Sequence, residues 1–137
     1  MRLRLEAVIA LVLARLSLRL HGTSRLLGAP MEPAAVELET GGLDLRRLAL
    51  LRQVAAVVES MARVLPGRFD CLPQALAARQ LLGRRGISSI LHLGVSPTPS
   101  RAFHAHAWLE VDRHPIVGAE ELARVSSVAR FQWPRPG

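Results

Sequence analysis

Residues 70–112 read DCLPQALAARQLLGRRGISSILHLGVSPTPSRAFHAHAWLEVD, and this stretch decides the fold. Cys71, the only cysteine in the chain, stands at one end and His106 near the other. From Cys71 to about Gly83 the apolar positions Leu72, Leu76, Ala77 and Leu81 recur at helical spacing. Asp70 is a good N-cap for that helix, and Pro73 falls in its first turn, where a missing N–H costs nothing. Gly83 to Gly86 make a turn. The run ISSILHLGV (87–95) predicts a buried strand, SPTPSR a loop, and AFHAHAWLEV a second strand. The pattern predicts a thiol nucleophile at a helix start, with a histidine brought to it by a later strand.

The chemistry follows from that placement. Unpaired N–H groups and the macrodipole at a helix N-terminus favour negative charge, which suits a thiolate and also an oxyanion formed when sulfur attacks a carbonyl. A base is then needed, and imidazole titrates near neutrality. Taken alone, a free cysteine is more often a small buried hydrophobe than a nucleophile. The helix start, the acidic residue before it and the later His-Ala-Trp strand tip the balance. Among the five histidines, His21 and His114 fall at a helix end and in a turn and read as solvated. His92 lies inside an apolar strand and reads as a hydrogen-bonded structural residue. His104 competes with His106, because both share a period-two face with Trp108 and Glu110. Trp108 could shield the thiol and imidazole from water, although packing is the simpler role.

Working outward, residues 1–27 begin with arginines around an apolar run from Ala7 to Ala14. Arg15 and Arg19 interrupt the run and no small-residue cleavage site follows, so a signal peptide is disfavoured. The run is too short to span a membrane. A helix that covers the core is preferred over one that lies on a membrane surface, and membrane association is not expected. Residues 28–42, rich in Pro, Gly and Glu, read as a linker. A second helix is predicted from about Leu43 to Val64 and ends at Pro66-Gly67. After the second strand, Arg113-His114 read as a tight connection and Pro115 to Gly118 as a third strand. A last segment from Glu120 to Phe131 closes the domain, and WPRPG reads as a tail. The expected organisation is an N-terminal helix and linker over 1–42 and a catalytic domain over 43–137.

Composition narrows the class. Half of the 137 residues are hydrophobic, enough for one core. A single cysteine cannot form an internal disulfide, which excludes a disulfide-stapled scaffold and fits a reducing cytoplasm. The net charge of +7 rests on arginine alone, for the chain has no lysine. Those arginines are scattered and aromatic residues are only 4% of the chain, so nucleic-acid binding is disfavoured. Metal binding is not expected, because one Cys and dispersed His show no ligand-pair spacing, and no cofactor is implied.

Four blocks then carry a resemblance: CLPQALA (71–77), LLGRRGI (81–87), LHLGV (91–95) and HAWLEVD (106–112). With the terminal SSVARF, they closely resemble, in order and spacing, the stand-alone leader peptidases of lasso peptide biosynthesis. These are transglutaminase-like cysteine proteases. The resemblance covers roughly residues 43–131. It implies an α+β transglutaminase-like (papain-like) fold with helices on a small antiparallel sheet. It also implies removal of the leader from a ribosomally made precursor peptide, with a leader-binding recognition protein and an asparagine-synthetase-like cyclase as partners. The nucleophile maps onto Cys71 and the base onto His106. The family's third residue is usually an Asp beyond the His strand, and here that segment carries only Glu120 and Glu121.

Strand geometry separates the acids. Asp112 lies six residues from His106, roughly 20 Å along a straight strand. A two-residue loop at Arg113-His114 would set His106 opposite Glu121, and a three-residue loop opposite Glu120. Glu120, nearer the position of the family's Asp, is the preferred third residue, with a solvated glutamate pair as the bland alternative. Two rivals remain at this level: a non-catalytic transglutaminase-like docking subunit of a peptide-modifying complex, and a structural protein held to a membrane by residues 1–27.

Overall fold

The computed structural model describes residues 2–27, 45–67, 69–97, 103–118 and 126–133. Three helices come first: α1 (Arg2–Leu27), which breaks at Gly22, α2 (Leu45–Val64) and α3 (Cys71–Arg84). Four strands follow: β1 (Ser89–Pro97), β2 (Phe103–Val111), β3 (His114–Val117) and β4 (Ser126–Trp133). The strands form one antiparallel sheet in the order β3-β2-β1-β4. The fold is therefore α+β, with helices packed on a small antiparallel sheet, as the sequence implies.

α3 is the pivot of the core. Ala75, Leu76, Ala77, Ala78, Arg79, Leu81 and Leu82 are all buried, so it is covered on nearly every side rather than along the single stripe its leucines suggest. The alanines leave room for α1 and α2 on one side and the sheet on the other. α2 buries Leu51, Val54, Ala55, Val58 and Ala62 at three-to-four spacing, and α1 adds Ala7, Ala10 and Leu11 to the same core. The sheet contributes Leu91, Ala107, Leu109, Val111, Val117 and Phe131.

The Asp70 side chain makes no capping hydrogen bond, contrary to the sequence expectation, although its backbone holds the N-cap conformation. Such a cap is worth about 1 kcal/mol, whereas each fully buried leucine contributes about 1.5–3 kcal/mol. Packing, not capping, fixes where α3 begins. Its other end is closed by backbone: Gly86 N–H donates to the Gly83 carbonyl at 3.1 Å and Ile87 N–H to the Leu82 carbonyl at 3.0 Å. Gly86 has φ +74, the left-handed conformation that this helix ending requires. Because Ile87 is committed to this ending, β1 starts at Ser89 rather than at residue 87.

The β2–β3 connection corrects another expectation. Val111 pairs with His114, so the two-residue loop is Asp112-Arg113, not Arg113-His114. Both loop residues have positive φ (48° and 67°), the backbone of a hairpin turn whose twist matches the strands, and Asp tolerates that region better than most residues. The ladder runs Glu110↔Pro115 and then Leu109↔Val117, with an irregularity between them. At the turn itself neither loop assumed from the sequence is present, whereas beyond the irregularity Leu109↔Val117 has the register that the three-residue loop implied. A third correction concerns Trp133, which belongs to β4 rather than to a tail. It pairs with Ser89, and the Arg79 guanidinium lies 4.6 Å from the centre of its indole.

Gly118 ends β3 against the backbone of β2. Its φ is +80, and a Cβ there would come 2.5 Å from the Ala107 carbonyl oxygen. Neither the strain nor a backbone clash can be relieved by a rotamer change. Gly118→Ala is expected to cost on the order of 2 kcal/mol or more. Urea and thermal unfolding measure it, and an unchanged midpoint would contradict this account of the β3 terminus.

Candidate active site

Cys71 is the first residue of α3, and the backbone leading into it is held from both sides. Phe69 is buried, with the Arg15 guanidinium of α1 lying 5.1 Å from its ring centre. From inside α3, the Gln74 side-chain amide donates to the Phe69 carbonyl at 2.7 Å. The thiol is free and partly buried. Since the Asp70 carboxylate makes no cap bond, it does not compete for the first-turn N–H groups.

The thiol meets the sheet at Ala107. The backbone N–H of Ala107 donates to the Cys71 sulfur at 3.4 Å. Ala107 follows His106 in β2, so the sulfur is brought to the strand position next to the histidine. At this edge of β2 the last ladder pair with β3 among the described residues is Leu109↔Val117, and Gly118 lies against Ala107 and Trp108. An amide left without a strand partner thus finds sulfur, a weak acceptor that becomes a stronger one as it gains negative charge.

The pairing of β1 with β2 defines the two faces. Gly94 pairs with His106, His92 with Trp108 and Ile90 with Glu110. Directly paired residues project to one face, so His106, Trp108, Glu110 and His92 share a face opposite to the one packed on the helices. His106 is half-buried, and the residue across from it is a glycine, which brings no side chain over it. His104 pairs with Ser96, and its side chain lies outside the described residues.

Next to His106 sits a cluster that sequence reasoning found only in part. His92 is buried and stacks on Trp108, with ring centres 4.9 Å apart and planes within 1°. Its Nε2 lies 3.1 Å from a Glu110 carboxylate oxygen. That contact with His92 is the main reason the Glu110 pKa lies below its ordinary value of 4.5. Positive charge on His92, Arg130 and Arg113 lowers it further, and partial burial opposes the shift. The structural role expected for His92 is thereby given its partners, and Trp108 packs as its simpler reading requires. Period-two spacing put Trp108 and Glu110 on one face, but only the β1–β2 register adds His92.

The remaining acids are distributed as follows. The Asp112 carboxylate is 3.1 Å from Arg47 of α2, an ion pair at the hairpin turn at the far end of β2 from His106. Glu120 and Glu121 lie outside the described residues. His21 and His114 are exposed, and the His114 Nδ1 is 2.9 Å from the Asp112 carbonyl oxygen. Among the described residues, no group of three or more His, Cys, Asp or Glu is arranged to hold a metal ion.

The structure thus sets a thiol at a helix start against the antiparallel strand that carries His106. A family model described as the Transglutaminase-like superfamily matches residues 10–130, from within α1 into β4. The chain belongs to that superfamily, which includes cysteine proteases. No curated protein and no solved structure matches the chain.

The Glu110 shift has a consequence for pH. A carboxylate whose folded pKa is depressed stabilises the fold above its unfolded value, and that contribution is lost as pH falls through the folded pKa. Glu110→Gln is therefore expected to lose about 1 kcal/mol at neutral pH, with the difference from wild type closing as the pH falls below 4.5. Urea unfolding across the acid range tests this. A deficit that persists unchanged in acid would mean that the carboxylate charge is not what His92 reads.

Proposed function

We propose that this chain is a cysteine peptidase that removes the leader from a ribosomally synthesised lasso precursor peptide in the cytoplasm. The single observation that carries a thiol mechanism is the contact between the Cys71 sulfur and the Ala107 N–H, one residue from His106. Membership of a superfamily that includes cysteine proteases supports the reaction class. The leader as substrate rests on the resemblance of the CLPQALA, LHLGV and HAWLEVD blocks.

The reaction runs through a thioester. The Cys71 thiolate attacks the scissile carbonyl, and N–H groups of the first turn of α3 stabilise the oxyanion. His106 protonates the departing amine, releasing the core peptide with a free N-terminus. It then takes a proton from water, which attacks the thioester and frees the leader carboxylate. No metal or other cofactor enters this scheme. Glu120 is our choice for the acid that orients His106, since Asp112 is engaged by Arg47 at the other end of the strand.

Cys71→Ala and Cys71→Ser are expected to abolish leader cleavage without unfolding the protein, as judged by intact mass of the precursor and by circular dichroism. Near-wild-type cleavage by Cys71→Ala would refute the thiol mechanism. His106→Ala should be as severe and His104→Ala much milder, and the opposite order would make His104 the base. Glu120→Gln, Glu121→Gln and Asp112→Asn, assayed singly, identify the orienting acid. A severe loss confined to Asp112→Asn would contradict the assignment to Glu120. With its Cys71 intact, a chain that reacts with no thiol-directed peptide probe and cleaves nothing would be a docking subunit.

The reading also expects partners: the leader-binding recognition protein, which presents the precursor, and the asparagine-synthetase-like cyclase, which receives the cleaved core. Presentation acts through effective concentration. Adding the recognition protein to the purified chain should raise the cleavage rate by about 10²-fold or more. Equal rates with and without it would remove that partner from the scheme.

A further inference from the structure

α1 carries two apolar faces, and the fold uses only one. Ala7, Ala10 and Leu11 are buried against the rest of the core, with Leu3, Ala14 and Leu18 packed beside them. On the opposite side, Leu5, Ile9, Val12, Leu13, Leu16 and Leu20 recur at i, i+4, i+7, i+8, i+11 and i+15, one face of the helix. Their relative exposures run from 39% to 76%, high for side chains of this size, and they follow one another as a ridge about 22 Å long. Burying the core therefore does not account for half of what α1 carries.

Charge says what covers the ridge. Arg2, Arg4 and Arg19 of α1 are exposed. The only acid in α1, Glu6, is taken up by Arg85 at 3.0 Å and Arg2 at 3.6 Å. The helix thus presents leucines bordered by arginine, with no uncompensated negative charge. A second copy is a poor occupant, since pairing ridge to ridge would bring the arginines of one α1 against those of the other. An exposed apolar ridge with a cationic border suits the interface of an anionic bilayer, where leucines enter the acyl boundary and guanidinium groups meet phosphates. No described helix is long and apolar enough to cross a membrane, so the mode is attachment along the helix.

We propose that α1 docks this protein peripherally on anionic lipid surfaces through the Leu5–Leu20 ridge and its arginines. The surface expectation set aside at the level of sequence thus returns for the outward face, while the inward face packs on the core. Docking is independent of the thiol chemistry, so Cys71→Ala should bind as wild type does.

The test is co-sedimentation of the full chain with vesicles of phosphatidylcholine alone or mixed with phosphatidylglycerol, at low and raised salt. Wild type should partition to the anionic vesicles and not to the neutral ones, and salt should weaken the binding. Leu13→Gln/Leu16→Gln should lower the partition coefficient on the order of tenfold or more while keeping wild-type helicity. Leu5→Gln/Leu20→Gln provides a second ridge variant should the first fail to fold. Arg4→Gln/Arg19→Gln should lose the preference for anionic lipid. Absence of wild-type binding at low salt would overturn the proposal, as would ridge variants that bind like wild type. Concentration-dependent dimerisation without vesicles, abolished by Leu13→Gln/Leu16→Gln, would give the ridge to a second copy and also overturn it.

Discussion

The hydrogen bond from the Ala107 amide to the Cys71 sulfur is where the helical layer and the sheet become one site. It exists because β3 is short. Were the β3 ladder to continue past Leu109↔Val117, the Ala107 amide would donate to a strand and α3 would have to start elsewhere. A buried amide left without a partner costs about 1–3 kcal/mol. Sulfur at the start of α3 removes that penalty and is held at the residue after His106 by the same bond. Gly118, whose backbone presses on Ala107, is part of this constraint, because no side chain fits between β3 and β2 there.

Around that point the sheet divides its labour between two faces. The odd-numbered positions of β2, Ala107, Leu109 and Val111, are buried in the helix-packed core and fix the height of the strand. The even-numbered positions carry His106, Trp108 and Glu110. Among these, His92 of the neighbouring strand stacks on Trp108 and meets the Glu110 carboxylate.

α1 ties the same core to a different physical demand. Through Arg15 over Phe69 it reaches the segment that enters Cys71, and through Glu6 to Arg85 it reaches the other end of α3. It therefore braces both ends of the helix that bears the thiol. Its outward leucines do nothing for that task. Stability and surface attachment are thus written on opposite faces of one helix, and exposed leucines can be exchanged without touching the packing that positions Cys71.

Much of this was legible in the residues. Helical spacing in Leu72, Leu76, Ala77 and Leu81, the breaker at Pro66-Gly67, and alternation through HAHAWLEV determine the elements, and they put Cys71 at a helix start and His106 on a later strand. These are local properties, set by backbone preference and by the periods of helix and strand. Tertiary structure decided the rest. Positive φ at Asp112 and Arg113 set the hairpin turn one residue earlier than the sequence reading placed it, and the irregularity after Glu110 then shifts the register. Packing from every side, rather than the Asp70 carboxylate, set the start of α3. Only the β1–β2 ladder joined His92 to Trp108 and Glu110, residues far apart in the chain. Period alone assigns a residue to a face, but which residues from distant segments meet on that face depends on register, and register is fixed by the packing of the whole core.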